Sequence, residues 1–214
     1  MNSFDTLPYS NLTVDGIQLD DSVINKAKNG DAEALYAIGD AYFDKKDYKN
    51  TILWTRASAE KESVQAELRM GRMYDLGFGV PVEYSLAFEW YAKAANHGNA
   101  WAQNNIGSLY LLGDGVTPDF ELAMDWYLKA ARQGHTVAKS NIELLLQNDW
   151  GVSMDRDEAF ILYKEIASLG IDLANDKMNQ LHAQNKNDDD DDGDDNQKDG
   201  ATGFIQLKSK RNSK

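Results

Sequence analysis

The sequence predicts an all-α protein, a right-handed α/α superhelical solenoid of about four helix-pair repeats followed by a disordered acidic C-terminal tail. Three observations carry this reading. The stretch "YDLGFGVPVEYSLAFEWYAKAANHG" at 74–98 returns as "YLLGDGVTPDFELAMDWYLKAARQG" at 110–134. An alanine register, Ala34, Ala66, Ala102, Ala138 and Ala174, advances by 32 residues and then three times by 36. Within a unit the apolar residues recur at helical spacing, as at Ala102, Ile106 and Tyr110.

The elements follow in order. Residues 1–21 form an N-terminal extension with no repeat signal, expected to be poorly ordered. The segment "VINKAKN" at 23–29 matches the tail of a second helix and starts the array. Repeats are expected at about 31–62, 63–98, 99–134 and 135–170, with a capping helix at 171–184, so that the array fills 22–184. In each first helix a glycine stands five residues after the register alanine, at Gly39, Gly71 and Gly107, and an aromatic three further on, at Tyr42, Tyr74 and Tyr110. A glycine inside a helix costs about 1 kcal/mol relative to alanine, and its recurrence points to close approach of the partner helix. A Gly-x-Gly-Val turn follows, shortened by four residues in the first unit. Asp119 caps the second helix, with Glu83 and Asp155 in register and glutamate the poorer cap. Trp54, Trp90 and Trp126 then repeat on the second helix, and Trp126 is expected in the core between the second and third units. Gly30, Gly98, Gly134 and Gly170 end the second helices. The fourth unit departs, with Glu143 in the glycine slot and Leu162 in place of tryptophan, and is expected to pack less closely. From 185 to 214 the chain is polar and charged, which predicts disorder; its end, "FIQLKSKRNSK", sets an apolar triplet beside four cations.

"AQNNIGSLYLLGDGVTPDFELAMDWYLKAARQG" resembles the Sel-one-like repeat, an α/α relative of the tetratricopeptide repeat. The resemblance covers roughly 22–184, strong in the second and third units and degenerate in the first and fourth. It implies a fold and a class of role: adaptors in secretion and quality control, activators of membrane enzymes, signalling proteins and toxin-neutralising partners. Some relatives carry a cysteine pair in each repeat; this chain has no cysteine, so activities tied to that subgroup do not transfer.

Composition narrows the chemistry. Apolar residues make up 42% of the 214, enough for a core, but no apolar run exceeds five residues, which excludes a transmembrane helix. The opening "MNSFDTLPYSNL" has neither a basic start nor an apolar stretch and does not read as a signal peptide, and a cytoplasmic protein is expected. The acceptor pattern Asn11-Leu12-Thr13 is then accidental. Net charge is −13, and residues 1–183 hold 27 acidic against 16 basic side chains. The folded part is therefore the main source of acidity. That argues against nucleic acid and favours a protein or peptide partner, a basic one above all.

Catalysis is not expected. His97, His135 and His182 form no i, i+4 metal pair, no HExxH occurs, and the Gly-x-Gly-Val turn lacks the lysine of a phosphate loop. No cofactor or metal is predicted. First helices line the concave surface of such superhelices, so polar or aromatic residues there that break the repeat are the candidates: Trp101, Asn104, Asn105, Ser108, Arg69 and Arg72, with Trp150 in the turn. Trp101 has Glu33, Gln65 and Val137 in its register, and Trp150 has Phe78 and Asp114. The expected function is a non-catalytic scaffold or adaptor; the alternative is a dedicated inhibitor or immunity-type protein that covers a basic partner with its acidic body.

Overall fold

The computed structural model describes residues 7–9, 13–14, 17–151 and 155–191. A two-residue hairpin, β1 (Thr13–Val14) and β2 (Ile17–Gln18), pairs antiparallel with Val14 opposite Ile17. Ten helices follow among the described residues: α1 (Asp21–Lys28), α2 (Ala32–Asp44), α3 (Tyr48–Ala59), α4 (Val64–Leu76), α5 (Tyr84–Asn96), α6 (Ala100–Leu112), α7 (Phe120–Arg132), α8 (Thr136–Gln147), α9 (Arg156–Ser168) and α10 (Leu173–Asp191). Each helix packs chiefly on its neighbours in sequence, the mark of a solenoid.

The first helices α2, α4, α6 and α8 begin at side-chain caps. Asp31, Ser63, Asn99 and His135 accept the backbone N–H of Ala34, Ala66, Ala102 and Ala138 respectively. Among the second helices Asp47, Asp119 and Asp155 cap in the same way, while Glu83 makes no side-chain cap bond. A longer side chain cannot fold back onto its own helix end as a short one does.

The helix-interior glycines mark where the two helices of a unit meet. A Cβ on Gly71 would lie 2.4 Å from Cδ1 of Tyr91, and one on Gly107 would lie 2.7 Å from Cε1 of Tyr127. Each tyrosine ring therefore fills the space that a glycine leaves. The fourth unit has Glu143 in that slot, and α8 and α9 lack the close backbone approach of the three preceding pairs. The core of this last unit is instead shared with α7 and α10, around Ile142, Leu145, Tyr163, Ile166 and Ala174.

This corrects the assignment of Trp126 to the core, and Trp90 in the same register behaves alike. Both are half-buried, each with a lysine over its ring, Lys93 at 3.9 Å and Lys129 at 3.8 Å from the centroid, whereas Tyr91 and Tyr127 are fully buried. The phase of the helix decides it. Ala123, Tyr127 and Ala130 fall at i, i+4 and i+7 and are all buried, so the residue before Tyr127 lies about 100° off that stripe. Trp54 is the exception. Its neighbour Thr55 is too small to fill a tyrosine slot, and Trp54 is itself fully buried.

Part of the N-terminal extension, expected to be poorly ordered, is packed. Leu7 is buried, the Tyr9 ring stands edge-on to Trp54 at 5.3 Å, and the Tyr9 hydroxyl donates to the carbonyl of Ala27. The end of the array needs a cover, and a segment without the repeat pattern supplies it. At the other end α10 continues to Asp191, past the expected stop at Gln184. Extending a nucleated helix fixes one residue per bond gained, so continuation needs no packing. The expectation of disorder beyond residue 191 falls outside the described residues.

The turns closing the second helices hold Gly30, Gly98, Gly134 and Gly170 at φ between 78° and 84°. Glu62 occupies that register position in the first unit at φ 62°, where a β-carbon costs about 1–2 kcal/mol. Glu62→Gly is expected to stabilise the chain by about 0.5–1 kcal/mol after the added freedom of the unfolded glycine is set against it. Thermal melts should show a midpoint about 2 °C higher; a lower midpoint would mean that Glu62 makes a compensating contact.

Candidate functional site

The first-helix residues singled out from the sequence divide into two groups. Arg69 is committed internally. It pairs with Asp40 at 2.5 Å, donates to the Tyr36 hydroxyl at 2.7 Å and lies over the rings of Tyr36 and Phe43. It thus ties α4 to α2. Asn104 is buried and accepts from Asn141 at 3.0 Å, which ties α6 to α8. Ser108 shares a hydrogen bond with the Tyr127 hydroxyl at 3.1 Å. Asn105 lies near the Tyr91 hydroxyl, which itself donates to Asp75 at 2.9 Å. Arg69, Asn104 and Ser108 thus hold adjacent helices together.

Their environment perturbs several groups, Asp75 and Tyr91 among them. Burial, and then repulsion from Asp114, raises the Asp75 carboxyl, opposed by the hydrogen bond from Tyr91. Burial, and then the Asp75 charge, drives the Tyr91 phenol far up, so Tyr91 remains a donor throughout the physiological range.

Trp150 is also accounted for by packing. Its indole stacks on Phe120 at 4.8 Å and 9°, as Phe78 stacks on Tyr48 at 5.3 Å and 21° in an earlier unit. In both cases a turn residue covers the first residue of the preceding second helix, 30 positions back. The turn between these two puts Asp114 in this place, and the sequence pattern hid the pairing because only two of the three turns show it.

Two candidates remain open to solvent. Arg72 is exposed, and Trp101 keeps 59% of its surface exposed while standing edge-on to His135 at 4.4 Å. Further exposed apolar residues lie on the same set of helices, Leu76, Leu112, Val137 and Leu144. Sequence reading passed over them because they fall off the buried stripe and carry no polar signature. Leu76 and Leu112 did repeat in register, one residue before the turn glycine.

His135 was also missed. It caps α8 by accepting the Ala138 N–H at Nδ1, at 3.1 Å, and burial lowers its pKa. A protonated ring has no free Nδ1 lone pair and cannot cap. The native state therefore binds this proton less readily than the unfolded chain, so the contribution to stability is present above about pH 6.5 and declines as pH falls from there toward the native value. His135→Asn keeps a cap, as Asn99 does, and removes the titration. Urea midpoints at pH 7.5 and 5.0 are expected to drop further in the parent than in His135→Asn; equal drops would contradict the capping role.

Among the described residues no group of three or more His, Asp or Glu side chains is placed to hold a metal, and no helix is long and apolar enough to cross a membrane.

The Sel1 repeat model matches residues 64–99, 102–135 and 144–171. A curated relative, the ERAD-associated E3 ubiquitin-protein ligase component HRD3 of Candida glabrata, is 36% identical over 64 residues, which are 30% of this chain and 8% of the relative. The crystal structure of a Sel1 repeat protein from Oxalobacter formigenes is 29% identical with a TM-score of 0.53, covering 70% of this chain and 62% of its own. The protective antigen c5321 of uropathogenic Escherichia coli, described as displaying an SLR fold, is 27% identical with a TM-score of 0.60, covering 79% of this chain and 38% of its own. The chain thus spans less than two thirds of the length of each. A repeated glycine–tyrosine fit between paired helices, three repeat matches and two solved structures of the same architecture agree: the chain belongs to the Sel1 repeat family.

Proposed function

We propose that the chain is a non-catalytic scaffold or adaptor that binds a protein or peptide partner with the face formed by its first helices. Proteins built from Sel1 repeats mediate protein–protein interactions. The observation that carries the reading here is Trp101, 59% exposed on α6, at a position where the other units have no aromatic residue. A large aromatic left in water is a poor use of apolar area unless a partner covers it, and tryptophan is enriched among binding hot spots. Leu112 and Leu144 extend the same exposed set, and Arg72 is an exposed cation on the first helix α4. Asn104, Asn105, Ser108 and Arg69 enter the proposal as residues that shape the face. Trp150 enters it as a neighbour stacked on Phe120.

The excess of 27 acidic over 16 basic side chains in residues 1–183 supports a basic partner. It also supports the second reading, an inhibitor that covers such a partner with the acidic body. The two differ in salt response: a steered inhibitor loses association rate sharply as salt rises, whereas a groove adaptor does not. The proposal places this function in the cytoplasm. The shared 8% of HRD3 carries over the repeat and not the ligase assembly.

Site-specific photo-crosslinking tests the reading. A photoreactive residue at position 101 or 112 is expected to form adducts with one protein partner. The same residue at position 161, exposed on the second helix α9, is expected to form none. Adducts from 161 alone, or equally from all three, would overturn the first-helix face.

A further inference from the structure

The repeat register breaks twice at one junction. Trp101 stands where other units have Glu33, Gln65 and Val137, and His135 stands where they have Asp31, Ser63 and Asn99. Beside these two residues lies an open pocket of about 290 Å³ lined by Ala100, Trp101, Gln133, Gly134, His135 and Thr136. In a protein of net charge −13, no carboxylate lines it.

Unpaired donors stand next to it. His135 is only 8% exposed. Because its Nδ1 accepts from Ala138, the ring proton sits on Nε2, and that buried N–H has no hydrogen-bond partner. An unpaired buried donor costs about 1–3 kcal/mol, so its retention calls for a reason. The cavity also lies at the start of the 12-residue helix α8. The first N–H groups there, those of Thr136 and Val137, have no acceptor within the helix, and the helix dipole presents its positive end. The Gln133 amide nitrogen is already given to Gln103 at 2.8 Å. Trp101 borders the pocket, stands edge-on to the imidazole and is otherwise in solvent.

We propose that this cavity binds a carboxylate, held by His135 Nε2–H and the opening N–H groups of α8, with the attached carbon chain against the Trp101 ring. A cation would meet donors and the positive end of a dipole. A neutral carbonyl would accept one bond and gain little from the helix end, and a carboxylate uses both. Trp101 swings off the imidazole to admit it, which its exposed side chain permits. The inference rests on the reading of Trp101 as a binding residue and names the chemistry that residue serves. A chain terminus and an Asp or Glu side chain both present this group.

The test uses the full chain, ¹⁵N-labelled, titrated at constant ionic strength with three probes. These are N-acetylglycine, N-acetylglutamate α-amide and N-acetylglycinamide. Saturable shifts of the Thr136 and Val137 amides and of the His135 Nε2–H are expected with the two carboxylates and not with the amide. The tighter of the two identifies the source, main-chain terminus or side chain. His135→Asn, which keeps a cap and lacks the Nε2 donor, is expected to weaken binding at least about fivefold, the scale of one hydrogen bond to a charged group. Trp101→Phe is expected to retain binding, which guards against a misfolded variant. Shifts that fail to saturate by about 50 mM, far weaker than a millimolar site, overturn the proposal, as do equal shifts with N-acetylglycinamide or unchanged binding in His135→Asn. If a protein partner depends on Trp101 while no carboxylate binds, this inference falls and the first-helix face stands. If carboxylates bind while the partner ignores Trp101→Ala, the cavity stands and the face falls.

Discussion

Tyr127→Ala is expected to destabilise the chain by about 4 kcal/mol, within the range for removing a large buried aromatic side chain. Tyr127 is fully buried, sits against Gly107 and shares a hydrogen bond with Ser108. Truncation opens a cavity between α6 and α7 and leaves the Ser108 hydroxyl with only its bond to the Asn104 carbonyl. Trp126→Ala, one residue earlier, is expected to cost only about 1–2 kcal/mol, because the indole is half-buried, packed at the edge of the core with Lys129 over its ring. Thermal denaturation of the two variants decides the point. The midpoint is expected to fall by about 10 °C for Tyr127→Ala and by less than half of that for Trp126→Ala. The reverse order would return the tryptophan to the core.

Gly107→Ala is expected to cost about 2 kcal/mol, although in an isolated helix the same change is favourable by about 1 kcal/mol. The new methyl would stand 2.7 Å from the Tyr127 ring, and that ring is enclosed on every side. The sign should depend on the tyrosine. In a Tyr127→Ala background the clash is gone, and Gly107→Ala should stabilise by up to about 1 kcal/mol. The coupling between the two positions is then about 3 kcal/mol, at the upper end for residues in contact. Additive effects in urea denaturation of the double-mutant cycle would mean that the glycine serves the helix backbone and not the ring.

The fold was legible because its determinants repeat. Gly39, Gly71 and Gly107 mark the helix contacts at spacings of 32 and 36, and a residue that recurs at a local energetic cost signals a packing need. The partner of those glycines was less legible. In the Trp-Tyr pair both members recur, and only the angular phase set by Ala123, Tyr127 and Ala130 separates the buried one from the half-buried one. Trp150 misled for the opposite reason. It looked like a break in the repeat because its stacking partner, Phe120, is 30 residues away, and a register compares like positions rather than touching ones. The N-terminal cover around Leu7 and Tyr9 left no periodic trace at all, since a cap is used once.

At the candidate site, Trp101 was visible as an aromatic with no counterpart, and its exposure agrees with that reading. The polar set was visible too, but Arg69, Asn104 and Ser108 turn out to face neighbouring helices. Helical spacing says which residues share a face and not whether the next helix covers it. His135 was seen as a turn residue and became a cap, a role that depends on the neutral ring presenting Nδ1 to Ala138.

Shape and binding should therefore separate at two aromatic residues one helix apart. The direct measurement is the affinity of Trp101→Ala for the partner identified by crosslinking, by titration calorimetry at a temperature where parent and variant are both folded. Trp101→Ala is expected to bind about thirtyfold more weakly, the equivalent of about 2 kcal/mol at a hot spot, while its melting midpoint stays within about 3 °C of the parent. Unchanged affinity, with a midpoint lowered as far as that of Tyr127→Ala, would make Trp101 a core residue and contradict the assignment of the first-helix face as the binding surface.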